Sequence, residues 1–176
     1  EPELMLLDEP LGALDAHVRA VLRYELRRLV KDLRLTAIHV THDQEEAMSI
    51  SDRLVVMKAG RVVEVGTPLE LYLSPKRLFT ANFLGEANFI PGNVLKCESG
   101  HVTVLVNGWK LDLAGSGFAR GDRVILAVRP ESVSLTPVGQ LVDLEWTGTV
   151  KEHALLGDCI RTEIEMENEM TIVSET

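Results

Sequence analysis

The chain lacks what would place it across a membrane or on a polyanion. No apolar run in its 176 residues approaches the ~20 that a helix needs to span a bilayer, although 45% of the residues are of hydrophobic type. No signal-like leader opens the sequence. Basic residues are the minority, 18 Lys and Arg against 27 Asp and Glu for a net charge of −9. That balance argues against a protein whose main work is holding nucleic acid, because phosphate-backbone binding relies on clustered Lys and Arg. Cysteine is scarce: Cys97 and Cys159 fit no metal spacing and are too few for a disulfide framework, which points to a reducing compartment.

The charge is unevenly spread. Residues 1–85 carry 13 acids and 11 bases, whereas 86–176 carry 14 and 7, so two unlike units are expected. In the first, Leu4-Met5-Leu6-Leu7 runs into Asp8-Glu9-Pro10, predicting a buried, central, parallel strand that ends in two carboxylates before proline stops it. Over residues 15–34, Val18, Leu22, Leu26, Leu29 and Leu33 fall at helical spacing, with Asp15 placed as the cap. A second strand is predicted over 36–41 and a short helix over 44–48, the order that builds a parallel sheet through right-handed crossovers. The apolar segments flanking Lys58-Ala59-Gly60 predict a hairpin at the sheet edge. Thr67-Pro68-Leu69-Glu70 supplies a cap, a first-turn proline and a reciprocal glutamate, and Ser74-Pro75 repeats a start signal for a helix ending near Gly85.

Beyond Gly85 helical spacing gives way to short alternating segments at 102–106, 124–128, 141–144 and 160–164, which predict a small β-barrel or sandwich with a modest core. Because the chain ends just after another strand-like segment, a closed barrel is expected to be missing its last element, leaving an edge that calls for cover. Glu163, Glu165, Glu167 and Glu169 read as an alternating row of carboxylates along the solvent face of one strand, which would repel phosphate.

Asp8 and Glu9 carry the first chemical weight. In a nucleoside-triphosphate hydrolase such a pair lets the aspartate hold Mg²⁺ while the glutamate orients the attacking water; the plain alternative is a solvated strand end. His42 also follows a strand, and in a parallel sheet both strand ends emerge at one edge, where such folds place ligands. An imidazole there can hydrogen-bond a terminal phosphate oxygen or hold the water and the glutamate in register; alternatively it is a structural histidine satisfied by a carbonyl. In loop 11–15, Gly12 allows a close or positive-φ backbone approach.

On these residues the segment resembles the ATP-binding cassette (ABC) ATPases. Leu4-Met5-Leu6-Leu7-Asp8-Glu9-Pro10 resembles their Walker B strand, Leu11-Gly12-Ala13-Leu14-Asp15 their D-loop, and His42 in Val40-Thr41-His42-Asp43 their switch histidine. Gly66-Thr67-Pro68-Leu69-Glu70-Leu71-Tyr72, the run 82–88 and Arg129-Pro130-Glu131 resemble the junction and accessory β-domain of importer ATPases. The resemblance implies an incomplete P-loop ATPase domain with a parallel sheet at 1–85 and a TOBE-like, oligonucleotide-binding-like β-domain, itself incomplete, at 86–176. It implies ATP and Mg²⁺ as cofactors of the complete subunit, with Asp8 at the metal, Glu9 as general base, His42 sensing the γ-phosphate and Asp15 coupling two nucleotide sites. It also implies a second ATPase subunit and transmembrane permease subunits as partners, no nucleic acid, and a peripheral place on the cytoplasmic face of a bacterial inner membrane.

The phosphate loop and the signature loop of that family are absent. Gly115-Ser116-Gly117 has neither the lysine nor the strand-to-helix setting to serve as the former. Residue 1 therefore reads as a cut in a longer subunit: these residues alone are expected not to turn over ATP, and the first strand is expected to show apolar surface and unpaired backbone. A non-catalytic regulatory or interaction module is the competing reading. A nuclease using Asp8 and Glu9 is disfavoured by charge and by the lack of a third acidic ligand.

Overall fold

The computed structural model describes residues 4–137, 146–167 and 169–176. The chain divides into two compact units, Glu1–Gly85 and Glu86–Thr176.

In the first unit, β1 (Leu4–Asp8) leads to α1 (Ala16–Asp32) and then to β2 (Thr36–Val40), which pairs with β1 in parallel, Leu4 opposite Thr36 and Asp8 opposite Val40. Parallel neighbours need a crossover, and the apolar stripe of α1 provides it. Asp15 caps α1, its carboxylate accepting from the Val18 N–H at 3.0 Å. At the other end Leu35 N–H reaches the Val30 carbonyl and Arg34 N–H that of Lys31, with Arg34 at φ 53. These bonds satisfy carbonyls that the last turn leaves open.

β1 shows the exposed apolar surface expected of it and is not covered on both faces as a central strand would be. Among the described residues β2 is its only strand neighbour, and Leu6 is 70% and Val40 54% exposed. Alternation decides which side chains are covered: Met5, Leu7, Ala37 and His39 are half-buried on one face, while Leu4, Leu6, Ile38 and Val40 share a face with no layer over it.

α2 (Gln44–Ile50) follows, capped by Asp43. β3 (Leu54–Lys58) and β4 (Arg61–Gly66) form the predicted hairpin, with Ala59 and Gly60 at φ 48 and 72 as a primed turn requires. The hairpin does not extend the β1–β2 sheet; it stands as its own two-stranded sheet. Its inner residues Leu54 and Val56 are instead buried with Leu71 and Leu84, on and just beyond α3 (Pro68–Leu73) and α4 (Leu78–Phe83). The reciprocal cap of α3 is present, Thr67 N–H donating to Glu70 Oε2 at 2.9 Å and Glu70 N–H to Thr67 Oγ1 at 3.3 Å. Ser74 does not start α4. It closes α3 by donating its N–H to the Glu70 carbonyl, and Lys76 N–H is taken by Glu64 Oε1 at 2.8 Å, so the next helix begins only at Leu78.

In the second unit β5 (Asn88–Glu98), β6 (His101–Val106), β7 (Trp109–Ala114) and β8 (Arg123–Val128) form an antiparallel sheet in the order β7-β6-β5-β8. A 3₁₀ turn at Pro130–Ser132 precedes β9 (Gly148–Leu155), β10 (Ile160–Met166) and β11 (Thr171–Glu175), which form a second antiparallel sheet in the order β11-β10-β9. The predicted strand at 141–144 lies outside the described residues. Ile90, Val94, Val102, Val104 and Val106 of the first sheet share a buried core with Ile172 of the second. Asn88 stitches the two sheets together: its amide donates to the Val173 carbonyl at 2.8 Å and its oxygen accepts from the Val173 N–H at 2.7 Å. Asn88→Ala strands both backbone groups in a buried place, each at about 1–3 kcal/mol. A lowered denaturation midpoint with intact unit-1 signals is the expected result, read by residue-resolved hydrogen exchange.

The acidic row is half as long as its spacing predicts. Thr162 and Ile164 face the core and Glu163 and Glu165 face outward, but β10 ends at Met166, and Glu167 and Glu169 lie beyond it, Glu169 at φ 62. Lys151 pairs with Glu165, and Arg161 stands 3.7 Å from Glu163, so the two strand carboxylates each have a cation beside them.

Candidate functional site

The C-terminal ends of β1 and β2 lie side by side, and the chain turns sharply at both. Glu9 takes φ 44 immediately after β1, a left-handed conformation that a glutamate adopts only at some cost, while its N–H extends the ladder to the Val40 carbonyl at 2.9 Å. Gly12 N–H then closes on the Glu9 carbonyl at 3.1 Å. The positive φ of this turn therefore belongs to Glu9 and not to Gly12, where an added Cβ would meet Glu9 atoms at an ordinary 3.4 Å.

This turn swings the Glu9 carboxylate towards the residue that follows β2. His42 Nδ1 lies 2.8 Å from Glu9 Oε1, and the His42 side chain is 77% exposed. A carboxylate accepts, so Nδ1 carries the proton and Nε2 faces solvent. Asp8 ends β1 exposed, its carboxylate without a hydrogen bond or ion pair among the described residues. Asp15 does not join this group, its carboxylate being committed to the α1 cap.

Beneath the pair lies a network that the sequence reading missed. Glu46, on α2, is 1% exposed; its Oε1 lies 2.7 Å from His39 Nε2, and its Oε2 accepts from Thr41 Oγ1 at 2.6 Å. Thr41 Oγ1 in turn accepts from Asp43 N–H at 3.0 Å, and Asp43 Oδ1 accepts from Glu46 N–H at 2.9 Å. The turn that carries His42 is thus tied down on both sides. The Asp-x-x-Glu spacing of 43–46 is a helix-start signature that could have drawn attention to this segment. Burial of the glutamate depends on the sheet beneath it and has no sequence signal.

The hydrogen bond to Glu9, followed by the Glu9 charge, raises the His42 pKa above its ordinary 6.5; the Asp43 charge adds to this, and slight desolvation and Arg19 oppose it. Burial pushes the Asp43 carboxyl up, but the Glu46 N–H, Arg19 and Arg23 outweigh it and hold it below its ordinary value. A histidine pKa raised on folding stabilises the fold below the unfolded-state value and loses that contribution as pH rises through the folded value. Glu9→Gln is expected to move the His42 titration midpoint back down towards 6.5, followed by ring-proton NMR; a midpoint unmoved by the substitution would mean that the pair does not form.

A parallel strand pair with a helical crossover, carrying acids and an imidazole at one edge and followed by antiparallel sheets, defines the class: a P-loop-like α/β unit joined to a small all-β unit. Comparison with known proteins points the same way. The chain is 42% identical over 168 residues to the Fe(3+) ions import ATP-binding protein FbpC of Brucella abortus, an alignment covering 96% of this chain and 46% of that protein. It is 39% identical over 176 residues to the spermidine/putrescine import ATP-binding protein PotA of Borreliella afzelii, covering 100% of this chain and 49% of that one. No family model matches. The chain thus resembles the ATP-binding proteins of ABC transporters and spans about half the length of these curated relatives.

Proposed function

We propose that this chain forms part of the ATP-hydrolysing, energy-coupling subunit of a bacterial ABC importer. In this reading residues 1–85 belong to the nucleotide-binding domain and 86–176 are a TOBE-like accessory domain. The observation that carries the proposal is the Glu9–His42 hydrogen bond at the C-terminal end of a parallel strand pair, the edge where α/β sheets receive ligands.

In this reading Asp8 would be this chain's contribution to the Mg²⁺ site, and the loop that cradles the phosphates would lie elsewhere in the subunit. Among the described residues no three His, Cys, Asp or Glu side chains form a metal cage. Asp8 is a single exposed hard-oxygen donor, the kind Mg²⁺ takes when water and phosphate oxygens fill its other positions. When bound, Mg²⁺ and ATP supply the phosphoryl group and the neutralising charge. Asp8 would hold the metal. Glu9 keeps Oε2 clear of its bond to His42 and takes a proton from the attacking water. His42 presents Nε2 outward; protonated, that atom donates to a terminal phosphate oxygen, and the acid beside Nδ1 favours the protonated ring. Asp15, beside its cap, couples two nucleotide sites across an ATPase dimer.

The partners in this reading are a second ATPase subunit and transmembrane permease subunits, with the protein peripheral on the cytoplasmic face of the inner membrane. No described helix is long and apolar enough to cross a membrane. Mg²⁺-dependent ATP hydrolysis by the complete subunit, lost when Asp8 is replaced by alanine, is the expected result. Hydrolysis that survives Asp8→Ala unchanged removes the metal assignment, and a complete subunit that neither binds nor hydrolyses ATP removes the proposal.

A further inference from the structure

Arg19, in the first turn of α1, connects the two loops that carry the proposed site. Its own N–H closes on the Asp15 carbonyl at 2.9 Å. Its guanidinium reaches back past the helix end, Nη2 donating to the Leu14 carbonyl at 2.8 Å and Nη1 to Asp43 Oδ2 at 2.9 Å. Leu14 lies in the loop leaving Glu9, and Asp43 directly follows His42. Neither acceptor is free to wander. Leu14 N–H is held by the Leu11 carbonyl at 3.2 Å, and the other oxygen of Asp43 is committed to the Glu46 N–H. Arg23 adds a longer contact of 3.4 Å to Asp43 Oδ2 and a 2.9 Å bond to Glu45.

We infer that Arg19 is a positioning residue that locks loop 11–15 to the His42 turn, so that the Glu9–His42 pair and Asp15 hold one relative geometry. The inference rests on the ATPase reading above for its catalytic consequence, but the lock itself is a structural claim. An ordinary surface ion pair joins two mobile side chains and contributes little. Here one partner is a backbone carbonyl, the other a helix cap, and a planar fork supplies donors to both at once. A lysine at this place offers a point charge that can serve one acceptor well and leaves the other to water. Because Glu9 and His42 leave from different strands, a slip between the two loops would misplace the base relative to the phosphate sensor. Displacements of about 1 Å cost catalysis up to about a hundredfold.

The test uses the complete subunit with Arg19→Ala, Arg19→Lys and, from the opposite side of the contact, Asp43→Asn, which keeps a capping oxygen but removes the charge. Amide hydrogen exchange is read at Gly12 and Leu14 in one loop and at Asp43 and Glu46 in the other, together with kcat and KM for ATP. Arg19→Ala is expected to speed exchange in both loops together and to lower kcat by about tenfold to a hundredfold, with KM changed by less than about twofold. Arg19→Lys should restore protection in one loop at most, and Asp43→Asn should loosen the same two loops. Faster exchange confined to one loop, or full recovery by lysine, overturns the lock. Coupled exchange with unchanged kcat overturns the positioning role. If the wild-type subunit hydrolyses no ATP, the ATPase reading fails by itself, and the exchange pattern still decides whether Arg19 joins the loops.

Discussion

Glu9→Gln in the complete subunit is expected to lower kcat for ATP hydrolysis by about 10²–10⁴-fold, the range over which a positioned general base contributes, while ATP-dependent association of two subunits persists. The substitution is nearly isosteric. Glutamine can still accept the His42 Nδ1–H with its carbonyl oxygen, so the 2.8 Å contact has an uncharged counterpart and the turn at φ 44 is undisturbed. What disappears is the basic oxygen that would take a proton from water. In the proposed reading nucleotide binding relies on other groups, so the variant should load ATP and remain loaded. Unchanged turnover would sink the assignment of Glu9 as the base. Loss of both turnover and ATP binding would show instead that the substitution had disturbed the site's construction.

The second large effect is on stability. Glu46→Ala removes a carboxylate that is 1% exposed and leaves His39 Nε2 and Thr41 Oγ1 without their acceptors. His39 Nδ1 already lacks a partner among the described residues, so the ring would be buried with neither nitrogen satisfied. Each buried polar atom left without its partner costs about 1–3 kcal/mol, together a large part of what a domain of this size has in hand. A fall in the urea midpoint at unchanged m-value is the expected observation. Glu46→Gln, which keeps one acceptor oxygen and the volume, should recover part of the loss. If the alanine variant unfolds at the parental midpoint, the carboxylate is not the keystone between β2 and α2 that its contacts describe.

Much of the local architecture was legible in the sequence because its signals act over a few residues. Asp15 before a stripe of Val18, Leu22, Leu26 and Leu29, the Thr67-to-Glu70 box, and Ala59-Gly60 between two apolar runs each report a backbone preference that tertiary packing did not override. The meeting of Glu9 and His42 was also foreseeable, because two parallel strands end at one edge whatever lies between them. Where the reading strayed, the deciding term was non-local. Ser74-Pro75 carries a start signal, but the Glu64 carboxylate takes the Lys76 N–H and delays the helix. Gly12 was expected to allow a close or positive-φ backbone approach, yet the positive φ of the turn falls on Glu9, whose N–H still pairs with the Val40 carbonyl.

By itself, then, the sequence determined the helices and strands of the first unit and the strands β6, β8 and β10 of the second, though not β5, β7 or β9, and it determined which edge gathers an acid and an imidazole. Capping and alternation are properties of short stretches, and at Asp15, Thr67 and the 59–60 turn packing left them in place. Only the tertiary structure decided that Glu46 is buried, that Asn88 binds Val173, and that Arg19 reaches both Leu14 and Asp43. Each of these depends on which surfaces meet across tens of residues. Burial and long-range hydrogen bonding arise from neighbours that no local pattern names.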